Sequence, residues 1–266
     1  MTGILRPGLC SITFRDLSWP EVVAVATDAG LEGVEWGADV HVPGGDQTRA
    51  RAVAAACARA GLACPSYGSY LRAGDPAPEG PPAAAVLDTA VALGAPNVRV
   101  WCRWLGAADA GPAERAAVAA DLRTWASLAR DRGLTLSLEH HQWTLTETVA
   151  STVELLAAVG APELFTYWQP CDGVAVPELV GEVDALRRHL SHLHVFRWAS
   201  MAERFPLAEG TDLWPGVLAR LAGPPTGGTE RWDADRWALL EYVRDDDPGQ
   251  LHADAEVLRR WLGDLP

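Results

Sequence analysis

The sequence predicts a single (β/α)8 TIM barrel, and three observations carry that reading. The 266 residues match the roughly 250 of a one-domain barrel. Short apolar runs alternate with longer helix-like stretches through eight rounds, the rhythm of a parallel sheet with helical crossovers. The Gly-rich phosphate turn that would follow the first strand of a doubly wound open sheet, the competing fold, is missing. One domain over 1–266 is expected, since no domain linker interrupts the pattern.

The elements follow in order. Residues 9–14 form the first strand and residues 18–29 the first helix, stopped by Gly30. Residues 33–36 and the helix 48–60, stopped by Gly61, make the second round. The third strand is 63–67, after which 72–82, rich in Gly, Pro and charge, reads as a connector or rim loop. The fourth strand, 98–102, leads to the helix 113–130, with Gly133 beyond it. In the fifth strand, 134–139, Leu134, Leu136 and Leu138 alternate with Thr135, Ser137 and Glu139. Period two turns the leucines to the helices and the polar set inward, with Glu139 last, at the C-terminal end where barrels do chemistry. The helix 148–159 ends at Gly160, and 164–169 is the sixth strand. In the seventh, 190–196, His192 and His194 share a face. Residues 223–231 form a second Gly/Pro loop. In the eighth strand, 237–243, Leu239 and Glu241 share a face, and parity alone leaves open which face is inside. The helix 250–262 closes the chain.

Composition narrows the chemistry. A net charge of -13 repels phosphates and anionic membranes, so neither nucleic acid nor membrane is an expected partner. No lysine occurs anywhere, which excludes Schiff-base aldolases, pyridoxal-phosphate enzymes and Walker A loops. The five cysteines form no CxxC pair and read as reduced and mostly buried. No stretch nears the roughly 18 apolar residues of a membrane span, and the start shows no secretory pattern, so the expected location is cytoplasmic.

Polar residues ending predicted strands include Glu35, Arg103, Glu139, Gln169, His194 and Glu241. Glu139, Gln169, His194 and Glu241 together make a mixed O/N sphere suited to Mn²⁺, Mg²⁺ or Co²⁺, with Zn²⁺ also accommodated. Two inward glutamates at one mouth repel unless a cation or proton separates them. Glu35 reads equally well as a substrate contact or as half of an arginine ion pair. Trp101, Arg103, His141 and Arg197 are candidates for gripping substrate, with surface charge or a structural ion pair as the alternative for each arginine. Trp36, Trp101, Trp143, Trp168 and Trp198 cluster near strand ends, where stacking on a sugar face competes with plain packing.

Four motifs recur in order: Gly33-Val34-Glu35-Trp36, Ser137-Leu138-Glu139-His140-His141, His192-Leu193-His194-Val195-Phe196 and Leu239-Leu240-Glu241-Tyr242. Their spacing resembles the xylose-isomerase-like sugar isomerases and epimerases, a family that also includes metal-dependent nucleases of abasic DNA. The resemblance implies that Glu139, Glu241 and His194 hold a divalent metal. It further implies that the two glutamates are an acid/base pair moving a proton through an enediolate. After the sixth strand relatives carry an aspartate and a Gly-His pair, whereas this chain has Trp168-Gln169-Pro170-Cys171-Asp172. Gln169 is the best fit for that ligand and Asp172 the alternative. A sugar-like polyol or ketose is the expected substrate, and relatives of this kind often pair into homo-oligomers. The alternatives are a metal-dependent hydrolase or lyase, a glycosidase using the glutamates alone, and a ligand-binding barrel without turnover, motivated by the uncharged Gln169.

Overall fold

The computed structural model describes residues 4–223 and 231–265. Eight parallel strands close into a barrel: β1 (Leu5–Cys10), β2 (Gly33–Gly37), β3 (Ser66–Ala73), β4 (Asn97–Cys102), β5 (Thr135–Leu138), β6 (Leu164–Trp168), β7 (Leu190–Val195) and β8 (Arg236–Leu240). Each strand pairs with its sequence neighbours, and β8 pairs with β1. The outer helices are α1 (Trp19–Asp28), α2 (Gln47–Ala60), α3 (Ala83–Leu93), α4 (Pro112–Arg130), α5 (Val149–Val159), α6 (Val176–Leu186), α7 (Trp214–Ala222) and α8 (Pro248–Gly263). A short antiparallel hairpin, Trp198–Ser200 with Glu203–Arg204, follows β7. Among the described residues no helix is long and apolar enough to cross a membrane.

Several boundaries differ from the sequence reading, each for a local reason. β1 stops at Cys10, where its pairing with β2 ends; Ser11–Phe14 then turns as a 3-10 helix. Ser11 Oγ accepts from the Gly37 amide at 2.9 Å and so ties this turn to β2. β3 starts later than 63–67 and runs into the segment read as a loop, with a register shift between Gly68 and Arg72. β8 stops at Leu240, two residues before Tyr242 enters the left-handed region at φ 50°. The helices α3, α6 and α7 supply rounds for which the sequence showed no clear amphipathic stretch. Most of the 223–231 loop, residues 224–230, lies outside the described residues.

The alternation in β5 holds. Ser137 bonds Asn97 at 2.9 Å and Ser191 at 2.7 Å, forming a buried polar layer inside the barrel, while Leu136 and Leu138 join the core under the helices. The parity left open in β8 resolves inward: Trp237 and Leu239 pack with Cys10 and Tyr167 as an inner apolar plug. Glu241 continues that face upward.

The plug exists because neighbouring strands give way to it. A Cβ on Gly33 would sit 2.6 Å from the Trp237 ring and 3.1 Å from the Ala63 carbonyl, and one on Gly8 2.8 Å from Leu239. Overpacking of this kind costs about 1–3 kcal/mol. Gly33→Ala should therefore lower stability by that amount in urea unfolding, while Gly61→Ala, where nothing lies within 4 Å but φ is +74°, should show only the backbone penalty of about 1 kcal/mol.

Candidate metal and acid/base centre

Above the apolar plug, side chains from six strands or strand ends meet around His194. Its Nδ1 lies 2.9 Å from Gln169 Oε1, 3.3 Å from Glu241 Oε2 and 3.8 Å from Glu139 Oε1. All four residues are nearly or fully buried. The residues named from β5, β6, β7 and β8 are thus brought together, although not symmetrically, because Glu139 Oε2 is taken by a short ion pair with Arg99 Nη1.

Arg99 is the group the sequence reading missed. It is 1% exposed and its Nε donates to Glu35 Oε1 at 3.1 Å, so one guanidinium joins two carboxylates in the barrel interior. The signal was available: Asn97, Arg99 and Trp101 alternate with Val98, Val100 and Cys102, the same period-two argument that turned Glu139 inward. Gly68 on β3 leaves the space, since a Cβ there would stand 2.8 Å from Arg99 Nη2.

Glu35 is accordingly not open to the mouth as a substrate contact would be. It is fully buried, with Oε1 receiving Arg99 Nε, His194 Nε2 at 3.2 Å and the Cys10 thiol at 3.4 Å, and Oε2 receiving the Tyr167 hydroxyl at 2.6 Å. The arginine-pair alternative is the one observed. Burial alone would raise the Glu35 pKa, but Arg99, His194 and Tyr167 outweigh it and hold the carboxyl well below its usual range. Glu241 goes the other way: burial raises its carboxyl above the usual value despite His194 and Arg99.

The His194 contacts set the chemistry of the centre. Glu35 Oε1 accepts from Nε2, and the tautomer with its hydrogen on Nε2 points the lone pair of Nδ1 at the other three groups. In that tautomer Nδ1, Gln169 Oε1, Glu241 Oε2 and Glu139 Oε1 are all acceptors, and Glu241 Oε2 is buried without a hydrogen-bond partner. Converging acceptors of this kind are surroundings that a cation satisfies. Charge points the same way: three buried carboxylates against Arg99 leave two negative charges, the complement of one divalent ion. A carboxylate orienting a ligating imidazole through its other nitrogen is the usual support around such ions. The residues therefore fit a divalent metal, with Gln169, His194 and Glu241 nearest and Glu139 at the edge.

The remaining candidates separate. Trp101 packs on His141 at 4.6 Å and stacks on Tyr70 at 6.3 Å. Trp104 and Trp143, 48% and 61% exposed, extend this wall into solvent beyond β4 and β5. Burial, opposed by the Gln142 carbonyl and reinforced by Arg99, brings the His141 pKa down to about 4, so that ring is neutral at pH 7. Arg197 turns to Asp212 at 3.5 Å, and Arg103 is half-buried after β4. Asp172 is exposed and supplies no alternative to Gln169. Trp36 and Trp168 are fully buried packing residues, while Trp198 stacks on Tyr242 next to Glu241.

Comparison with known proteins agrees with this architecture. The probable 3-DHS dehydratase AsbF of Bacillus anthracis superposes with a TM-score of 0.74 at 22% identity, over 96% of this chain and 98% of that one. A xylose isomerase-like TIM barrel protein from Mycobacterium smegmatis, in complex with magnesium, gives 0.68 at 16% identity over 97% and 96%. A D-allulose 3-epimerase from Methylomonas sp. in complex with D-allulose gives 0.67 at 15% identity over 97% and 97%. No functionally curated protein matches the chain in sequence. The model of the xylose isomerase-like TIM barrel family matches residues 23–261, nearly the whole barrel, and the chain belongs to that family.

Proposed function

We propose that this barrel is a metal-dependent isomerase or epimerase of a sugar-like α-hydroxy ketone. The observation that carries the proposal is the convergence of His194 Nδ1, Gln169 Oε1, Glu241 Oε2 and Glu139 Oε1, all acceptors in the tautomer whose Nε2–H donates to Glu35. The magnesium in one similar barrel and the D-allulose in another support it.

Gln169, His194 and Glu241 would hold the ion, with Glu139 Oε1 as the fourth donor; Mn²⁺, Mg²⁺, Co²⁺ and Zn²⁺ all accept such a set. When bound, the ion stabilises the negative charge that develops on the substrate's oxygens as a C–H proton leaves. Everything else is done by the chain. Glu139 and Glu241 extend from β5 and β8, three strands apart around the barrel, and so approach a substrate from different sides. One takes the proton and the other returns it, inverting the carbon; return by the same residue to the adjacent carbon isomerises instead. Glu35 fixes the His194 ring, and Arg99 fixes Glu139. Trp101 and His141 pack the wall against which a sugar's apolar face rests. The -13 charge keeps the expected ligand a small molecule and not a nucleic acid.

The likeness to a dehydratase favours a second reading, a lyase that begins with the same proton abstraction and then expels water. One experiment decides between them. Incubation of the Mn²⁺-loaded protein with a panel of ketoses and cyclic hydroxy ketones in D₂O should place deuterium on the carbon beside the carbonyl and return an epimer or isomer. Loss of water with growth of an absorbing enone or arene assigns the lyase. With metal bound, silence across the panel removes both.

A further inference from the structure

The centre contains a donor that the metal-ligand reading above does not use. Among the described residues, the His, Cys, Asp and Glu side chains whose donor atoms all lie within 4.8 Å of one another are Cys10, His194 and Glu241, all three buried. Glu139, whose carboxylate is ion-paired with Arg99, falls outside this group. Cys10 ends β1 on the inner face, level with Glu35 in the pairing of β1 with β2.

Two observations indicate that this cluster is built for a ligand. Glu241 Oε2 is buried, on a residue only 3% exposed, and has no hydrogen-bond partner. The Cys10 thiol has Glu35 Oε1 as acceptor at 3.4 Å, but that oxygen already takes Arg99 Nε at 3.1 Å and His194 Nε2 at 3.2 Å. The S–H is a third donor to a satisfied atom, and its removal costs Glu35 little.

We propose that Cys10 Sγ coordinates the divalent ion together with His194, Glu241 and Gln169, making a mixed N, O and S centre that selects zinc or cobalt over magnesium. The inference rests on the metal-centre reading above and changes its chemistry. Ligands around a four-coordinate ion stand about 3–4 Å apart, so Cys10, His194 and Glu241 close on one another by no more than about 2 Å. Binding exchanges S–H for S–metal: the thiol proton passes to solvent and the ion keeps its oxidation state. Thiolate is a soft donor, favoured by zinc and cobalt and disfavoured by magnesium. Glu139 is then released from ligation and stands beside the ion as a proton carrier held by Arg99.

The test uses the intact metal-free chain and the metals alone. Titration with Co²⁺ should saturate at one ion per chain with a thiolate-to-cobalt charge-transfer band in the near ultraviolet. X-ray absorption of the zinc form should show one sulfur at about 2.3 Å among nitrogen and oxygen neighbours near 2.0–2.1 Å. Cys10→Ser should lose the band and the sulfur shell, still bind one ion, and bind zinc at least about tenfold more weakly, while its magnesium affinity stays within about twofold. Should Cys10→Ser not fold, the wild-type spectra decide alone. One bound ion with only nitrogen and oxygen neighbours overturns the role of Cys10 and leaves the metal centre standing; no divalent binding at all overturns both. A band that persists in folded Cys10→Ser places the sulfur elsewhere, as at the adjacent thiols Cys57 and Cys64, and also overturns the proposal.

Discussion

Glu241→Gln should reduce deuterium exchange and turnover by about 10²–10⁴-fold, the range for losing a positioned acid or base, and should leave the metal-free fold as stable as the wild type or more so. The two effects diverge because of where the carboxylate sits. Glu241 is 3% exposed, its Oε2 lacks a partner, and burial raises its pKa above the ordinary value. A group in that state costs the empty protein stability at neutral pH. Its folded pKa lies above its unfolded one, so the favourable contribution is complete below about pH 4.3 and is lost as pH rises through the folded value. Glutamine keeps the shape, removes the charge and cannot carry the proton. Metal affinity should fall as well, since one of two charged donors near His194 Nδ1 becomes neutral. The measurements are exchange rates with saturating metal, ion binding by calorimetry, and Tm of the metal-free proteins across pH 4–8. A Tm drop of many degrees at pH 7 with metal-free protein would show Glu241 to be a structural residue, and the functional reading of its vacant oxygen would fail.

The parts of this centre legible in the sequence are those governed by period two. Alternation in β5 turns Glu139 inward, and the His192/His194 pair in β7 and the Leu239/Glu241 pair in β8 put their residues on common faces. Arg99 obeys the same rule yet escaped notice, because arginine is almost never fully buried without a partner and both its partners lie 40 or more residues away, Glu35 and Glu139. In sequence Cys10 reads, like the other cysteines, only as reduced and mostly buried, and closure of β8 against β1 brings it to Glu241. Glu35 carried two readings of equal weight, and three-dimensional contact chose between them. The end of β1 was misplaced for a different reason: residues 9–14 are apolar enough to continue a strand, but their partners run out at Leu240 and Glu35. Strand pairing is set by neighbours, and local composition does not contain it.

Arg99→Met should destabilise the barrel by about 3–5 kcal/mol near pH 7. The side chain volume is retained, so the loss isolates the charge. The guanidinium bonds both Glu35 and Glu139 within a region closed to water, and methionine leaves two carboxylates facing each other with His194, Tyr167 and the weak Cys10 thiol as the remaining donors to Glu35. In the wild type Glu35 titrates well below its unfolded value, so its contribution is complete above about pH 4.3 and is lost as pH falls through the depressed pKa. In the variant that depression is relaxed, and acid relieves the strain of the unpaired charge. The deficit measured by urea unfolding should therefore shrink between pH 7 and pH 4. A volume effect would persist unchanged over that range, so a pH-independent deficit counts against the electrostatic account. Divalent metal should rescue part of the loss, because the pocket without Arg99 carries one more uncompensated negative charge for the ion to offset, and stabilisation by added metal should be larger in the variant than in the wild type at equal excess over Kd. If metal stabilises both proteins equally, Arg99 and the ion do not share the same electrostatic environment, and the guanidinium is a packing element that happens to meet two glutamates.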